Sequence, residues 1–252
     1  FQMLDFLGRH RRAAISGCAG SGKTTLACEK ARRLADQGFD VLLTCFNVAL
    51  AEFLASDEEK PPNVHVANFH RLADELVQRA GLPAGPYTSE YFDNILPERL
   101  VEATDKLGPQ FDAIIVDEGQ DFHDNWWLPL QCLLHDPDEG IFYVFFDDNQ
   151  NIYRTAGSLP LELAPFPLTR NCRNTQHIHR SVMQFYCSDV SPIAIGPPGR
   201  PVEVHVYDDI AGLKRTLRQV LHRLVVKEDV PPEDIVVLTP KSRQRSELWR
   251  LG

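Results

Sequence analysis

The 252-residue sequence contains no apolar run approaching the ~18 to 20 residues that a membrane-spanning helix needs. Its N-terminus lacks the basic-then-apolar layout of a secretory leader. The six cysteines form no C-x-x-C pair, and none stands at zinc-type spacing from a histidine, which excludes the usual structural zinc modules. Scattered in this way, they are expected to be small buried apolar residues in a reducing cytoplasm. Positive charge is also short: 26 Lys and Arg face 35 Asp and Glu, for a net charge of −9. That argues against a simple reader of duplex DNA, which is usually basic, but leaves room for a local basic groove. The densest positive cluster, "GRHRR" at 8–12, is expected to be solvated surface. No internal repeat or low-complexity tract is present. The chain opens on "FQMLDFL" without an initiator Met and is expected to be a piece of a longer one.

Hydrophobic residues make up 43% and charged residues 24%, ordinary for a globular chain. "RAAISG" reads as a short buried strand followed by a Gly-rich turn. "KTTLACEKARRLADQG" then has helical periodicity, with Leu26, Ala27, Ala31 and Leu34 on one side and Gly38 as the stop. "DVLLTCF" is the next buried strand, completing a β-α-β unit. A helix over "NVALAEFLA" follows, then a strand, a turn and a helix over "PPNVHVANFHRLADELVQRAG". Residues 81–110 are the least regular and are expected to form a small insertion or lid. "FDAIIVDEGQDF" and "GIFYVFFDDNQNIY" are strands running into carboxylates, apolar enough to be covered on both faces as in a parallel α/β sheet. A helix over "TQHIHRSVMQFYCS" and a Pro/Gly loop precede a second strand-helix-strand set: "VEVHVYD", "IAGLKRTLRQVLHRLVV" and "EDIVVLTP".

Gly17-Cys18-Ala19-Gly20-Ser21-Gly22-Lys23-Thr24 fits G-x-x-x-x-G-K-[ST] between a strand and a helix. The glycines let backbone amides curl around a phosphate at the positive end of the helix dipole. Lys23 is expected to reach the β- and γ-phosphates, and the Thr24 hydroxyl to hold Mg²⁺. Thr25 and the loop residues Gly17, Ala19, Gly20, Ser21 and Gly22 complete the expected ATP contacts. The loop alone does not separate ATPase, GTPase and kinase. "IIVDEGQDF" narrows the choice. Asp117, at the end of an apolar strand, is where such a fold needs its second magnesium contact. Glu118 follows at once, placed to orient and deprotonate an attacking water.

Asp117-Glu118-Gly119-Gln120-Asp121 resembles the D-E-x-Q-D signature of superfamily 1 helicases of the UvrD/Rep/PcrA type, and other motifs arrive in that family's order. "LLTCFNVALAEFL" resembles motif Ia and "NFHRL" the T-F-H segment. "FFDDNQNIY" resembles motif III, "LTRNCRNT" motif IV, and "EDIVVLTPKSRQRSEL" a strand and turn of the second domain. The resemblance implies an α/β fold of the P-loop NTPase class: a RecA-like parallel sheet flanked by helices over 1–167, and a partial second RecA-like domain over 168–252. It implies that Gln150 senses the γ-phosphate and that Arg173 is an arginine finger. It implies that Phe46, Asn47, Phe69 and His70 contact single-stranded DNA, RNA remaining open. For Phe46 and Phe69 the residues themselves fit core packing equally well. His177 and His179 have no third ligand nearby and are not read as a metal site.

The departures from the pattern carry expectations too. Cys172 stands where the family has an adenine-stacking Tyr, and Phe146 where motif III has Gly. "RTAGS" after Tyr153 lacks a strand-stacking aromatic. The accessory insertion between "NFHRL" and "VDEGQD" must be small or absent. Nothing matches motif V or VI, so the chain is expected to bind ATP and hydrolyse it poorly; Gln2 is one candidate for the glutamine that precedes the phosphate loop, a residue ahead of Phe1 being the other. Three functions follow: an ATP-dependent helicase or translocase fragment, an ATPase of the same fold acting as a non-translocating switch, and an unrelated P-loop module or kinase.

Overall fold

The computed structural model describes residues 8, 10–147, 149, 165–187, 190–240, 242 and 245–248. The chain divides into two compact units, Phe1–Arg200 and Pro201–Gly252. The stretch 168–200, which the resemblance assigns to a second domain, lies in the first of them.

The first unit is built on a six-stranded sheet. Its strands are β1 (Arg12–Gly17), β2 (Val41–Cys45), β3 (Val64–Asn68), β4 (Ala113–Asp117), β5 (Ile141–Phe146) and β6 (Phe166–Leu168), in the order β3-β2-β4-β5-β1-β6. Every ladder in it is parallel. Parallel neighbours need crossovers, and these are helices α1 (Lys23–Ala35), α2 (Val48–Ala55), α3 (Phe69–Arg79), α4 (Leu96–Leu107) and α5 (Asp124–Cys132). This is the α/β class expected from the apolar strands.

Period-two alternation divides each strand between two cores. Leu42, Ile114, Val116, Phe142 and Val144 face α3, α4 and α5, together with Trp126 and Phe122. Val41, Leu43, Ala113, Ile115, Tyr143 and Phe145 face α1 through Ala27, Ala31 and Leu34. The central strands β2, β4 and β5 are buried along their whole length, because both faces are covered.

Helix α4 falls inside the stretch expected to be least regular. Leu96, Leu100 and Ala103 are all fully buried, and a π-helical turn over Tyr91–Ile95 leads into them. Their 4-then-3 spacing is the helical signal, obscured by the Gly and Pro residues that precede it. In the run at 8–12, Gly8, His10 and Arg11 are exposed as expected, and only Arg12 is partly buried. Arg12 donates to the Pro137 and Asp138 carbonyls, both at 2.7 Å, stapling the start of β1 to the loop before β5. All six cysteines are free. Cys18 and Cys45 are buried as expected, but Cys172 and Cys187 are exposed.

Past β6, a short parallel pair forms between β7 (Arg170–Asn171) and β8 (Ile193–Ala194), with α6 (Gln176–Val182) between them. In the second unit, α7 (Ile210–His222) begins at the Asp209 cap, whose carboxylate accepts from the Gly212 amide at 2.6 Å. The flanking segments expected as strands, 202–208 and 233–240, make no ladder. Their valines and leucine stay exposed (Val204 83%, Val206 89%, Leu238 88%). An extended segment becomes a strand only with a neighbour to pair with, and among the described residues neither segment has one.

Candidate active site

The carboxyl ends of β1, β2, β3, β4 and β5 lie along one edge of the sheet, and nearly every residue singled out in the sequence sits there. Parallel pairing fixes this: Cys45 is in register with both Asn68 and Asp117, and Ser16 with Phe146. In open parallel sheets this edge is where ligands bind.

The phosphate loop leaves β1 at Gly17 and enters α1 at Lys23. Gly20 and Gly22 take φ of 86° and 90°, the left-handed region that only glycine adopts without strain. A Cβ on Gly22 would meet nothing within 4 Å, so the loop is open there. No side chain caps α1, which leaves its first-turn amides available to an anion. The Ser21 hydroxyl is buried without a partner. Lys23, 5% exposed, folds back over the loop. Its ammonium donates to the Gly17 carbonyl at 2.9 Å and the Cys18 carbonyl at 3.3 Å, and stands 3.6 Å from Asp147 Oδ2. Thr24 is partly buried and Thr25 exposed.

Asp117 is wholly buried, and neither carboxylate oxygen has a hydrogen-bond partner of ordinary geometry. Burial lifts its pKa from 3.8 to about 6. The nearby Thr24 hydroxyl pulls it down, the Glu118 charge pushes it up, and Lys23 draws it down again. The buried carboxylate and the threonine hydroxyl are hard oxygen donors of the kind a divalent cation takes, and the ammonium beside them suits the phosphate such a cation would share. The residues therefore fit magnesium shared with a bound nucleotide. Among the described residues no group of three or more His, Cys, Asp or Glu forms an all-protein metal site.

Glu118 adopts φ 54° and ψ 47°, a left-handed conformation costly for a residue with a side chain. Gln120 supports it. Its Nε2 donates to Glu118 Oε2 at 2.7 Å, while its Oε1 accepts from the Asp147 amide at 3.0 Å. Gln120 thus ties the end of β4 to the end of β5. Neither Gln120 nor Asp147 was singled out by the sequence reading, although both lie inside quoted motifs; a polar residue within three places of the end of an apolar strand was the available signal. Gln150 lies outside the described residues, as do Gln2, Tyr153 and the residues "RTAGS".

Arg173 is exposed, and its Cβ would be 2.9 Å from a Cβ built on Gly20. The fold therefore brings it to the phosphate loop across more than 150 residues of sequence. The exposed Cys172 is beside it, its amide donating to the Gly20 carbonyl at 2.9 Å.

The residues read as strand contacts cluster at the ends of β2 and β3. Asn47 is exposed and caps α2, accepting from the Leu50 amide at 2.9 Å. Phe46 is half-buried and stacks on Trp126 at 5.9 Å between ring centroids. Phe69 is wholly buried and stacks on the same indole at 4.9 Å, so its ring is core. His70 is edge-on to Trp126 at 4.7 Å, and its Nε2 is buried without a partner. Burial holds its pKa below the usual value, with Asp93 opposing and His123 assisting. Trp126 organises the cluster and was missed because nothing in its sequence neighbourhood marks it. Asn68 was missed as well. It caps α3 by accepting from the Arg71 amide at 3.2 Å and donates to the Phe46 carbonyl, setting that residue's backbone.

A six-stranded parallel sheet flanked by helices, with a phosphate loop between its β1 strand and first helix, defines a P-loop fold of the RecA-like kind. No protein-family description matches this sequence, and no curated protein matches it. Among solved structures it is similar to unliganded Pif1 from Bacteroides sp, at 17% identity and a TM-score of 0.38, over 73% of this chain. The match spans 43% of that structure's length.

Proposed function

We propose that this chain is the ATP-binding portion of a helicase or translocase that couples hydrolysis to movement on a single strand of DNA. The observation that carries the reading is Asp117. Its carboxylate is wholly buried with no hydrogen bond of ordinary geometry, close to the Thr24 hydroxyl, the Glu118 amide and Lys23 at the mouth of an open loop. Such an arrangement costs stability and is repaid only by a ligand.

In this reading the loop amides and Lys23 hold the phosphates, and Lys23 exchanges its carbonyl contacts for phosphate oxygens. Thr24 and Asp117 would hold Mg²⁺, which when bound neutralises charge on the β- and γ-phosphates. Glu118, fixed by Gln120, orients a water and takes its proton. Arg173 neutralises charge on the terminal phosphate, and Gln150 reads the same phosphate. Phe46 and Asn47 offer a stacking ring and a polar group at the neighbouring strand ends, with His70 behind them. The ordered motifs at 17–24, 117–121, 145–153 and 168–175 support a helicase over a kinase.

The test is calorimetric titration of Mg·ATP into the wild-type chain and Lys23→Ala, followed by hydrolysis measured with and without oligo-dT. Equal affinity in the two proteins overturns the nucleotide site. Hydrolysis indifferent to the oligonucleotide favours a non-translocating switch, a reading to which the wholly buried Phe69 ring lends itself.

A further inference from the structure

Asn171 joins two parts of this site that are far apart in sequence, the phosphate loop and Arg173. Its side chain is 1% exposed. Its Nδ2 donates to the Ala19 carbonyl at 3.1 Å and lies 3.4 Å from His179 Nδ1. Its Oδ1 accepts from the backbone amides of Arg173 at 3.2 Å and Asn174 at 3.0 Å. A carboxamide has two donors and two acceptor lone pairs, and here all four are engaged. The backbone repeats the tie one residue later, where the Cys172 amide meets the Gly20 carbonyl. Together these bonds fix the peptide planes on both sides of Gly20. They also set the turn that carries Arg173. Contact is close: a Cβ on Gly20 would lie 2.7 Å from Asn171 Oδ1. Behind Asn171, His179 is held in turn, its Nε2 3.1 Å from the Pro192 carbonyl. Aspartate at 171 would keep both acceptors but lose both donors, so no isosteric residue replaces this one.

We propose that Asn171 is a positioning residue for nucleotide discrimination: it sets Arg173 against the phosphate loop, so that a nucleoside triphosphate is held more tightly than the diphosphate. The inference rests on reading 17–24 as a nucleotide loop and Arg173 as a charge facing the terminal phosphate. A guanidinium on a flexible stem discriminates only if its backbone is fixed relative to the phosphate, and Asn171 is the side chain bonded to both.

The experiment measures dissociation constants for ADP and for a non-hydrolysable ATP analogue, each with Mg²⁺, by titration calorimetry. The proteins are the wild-type chain, Asn171→Asp, Asn171→Ala, Arg173→Ala, the Asn171→Ala/Arg173→Ala double variant and Lys23→Ala. Asn171→Asp retains the acceptors for the Arg173 and Asn174 amides and loses the donors to Ala19 and His179. Its preference for triphosphate over diphosphate should fall about five- to tenfold, the worth of the lost tie to the loop at Ala19, with ADP affinity nearly unchanged. The double variant should discriminate no worse than Arg173→Ala. A merely local role for Asn171 in its own turn would leave the aspartate variant with the wild-type ratio, and that result overturns the proposal. So does an additive double variant. Should Asn171→Ala fail to fold, the near-isosteric aspartate variant decides alone. Identical nucleotide binding by wild type and Lys23→Ala overturns the reading of the loop, and this inference with it. Discrimination lost in Arg173→Ala but kept in both Asn171 variants overturns this inference only.

Discussion

Replacing Asp117 by asparagine should make the nucleotide-free protein more stable while removing its magnesium-dependent ATP binding. The carboxylate is wholly buried, and its pKa rises from 3.8 to about 6 because burial outweighs the Thr24 hydroxyl and the Glu118 amide that draw it down. The sign follows from linkage. The folded state binds the Asp117 proton more tightly than the unfolded state does. The contribution to stability is therefore fully present below pH 3.8 and is lost as pH rises through about 6. The interval between the two values corresponds to about 3 kcal/mol once the group is ionised in both states.

Asparagine has no charge to bury, so its advantage over aspartate should grow with pH. Other carboxylates titrate alike in both proteins and cancel in the difference. Measured by urea unfolding in EDTA, the stability of Asp117→Asn minus wild type should rise by roughly 2 to 3 kcal/mol between about pH 4 and 7.5. At the upper end the variant should melt about 4 to 12 °C higher, given roughly 2 to 4 °C per kcal/mol for a domain of this size. A difference that stays flat with pH, or that favours wild type at pH 7.5, refutes the argument that a stability cost is held at this site. A variant that gains the stability yet still binds Mg·ATP like wild type refutes the assignment of Asp117 to the metal.

The sheet was legible because its chemistry repeats. Strands such as "AIIVD" and "IFYVFF" are apolar at every position, which only a strand covered on both faces tolerates, and β4 and β5 are buried throughout. The turn between β1 and α1 was legible because glycine at positive φ has few substitutes, and Gly20 and Gly22 adopt those angles. Helix α4 was obscured by the Gly and Pro residues before it. The two apolar segments of the second unit were read as strands from side-chain pattern alone. Pattern specifies which face a strand would bury, but pairing depends on a neighbour that no local sequence encodes.

The site shows the same division. Lys23, Thr24, Asp117 and Glu118 were named from motif spacing, and the structure brings them to one edge of the sheet. The residues that hold them were not named. Gln120, Asp147 and Asn171 act through contacts 27 to 152 positions away in sequence, to Asp147, Gln120 and Ala19. Such partners become visible only when the strand order is known. The aromatic cluster was ambiguous for a different reason. A ring at a strand end is equally suited to solvent or to core, and a single tryptophan in α5 decides it. With Trp126 in place, Phe69 is enclosed while Phe46 keeps an exposed edge.

Four further outcomes are expected. Lys23→Ala should lose nucleotide binding by calorimetry, whereas Glu118→Gln should keep binding and lose phosphate release in a coupled assay. Cys172→Tyr should tighten ATP binding by about 1 kcal/mol, since the exposed Cys172 sits beside the phosphate loop and an aromatic there could stack on the base. Trp126→Ala should cost about 3 to 5 kcal/mol in urea unfolding, because its ring is wholly buried among Phe46, Phe69 and Phe122. Phe46→Ala and Phe69→Ala should separate recognition from folding. Phe69 has no exposed surface, so its removal should cost several kcal/mol of stability, and any loss of oligonucleotide affinity should track the loss of folded protein. Phe46 is only half-buried, so truncation should cost far less stability but remove a stacking surface worth about 1 to 3 kcal/mol per base. Fluorescence anisotropy with labelled oligo-dT, read beside thermal midpoints, distinguishes the two. If Phe46→Ala binds the strand as wild type does, this edge of the sheet is not the strand-binding surface, whatever the nucleotide site beside it does.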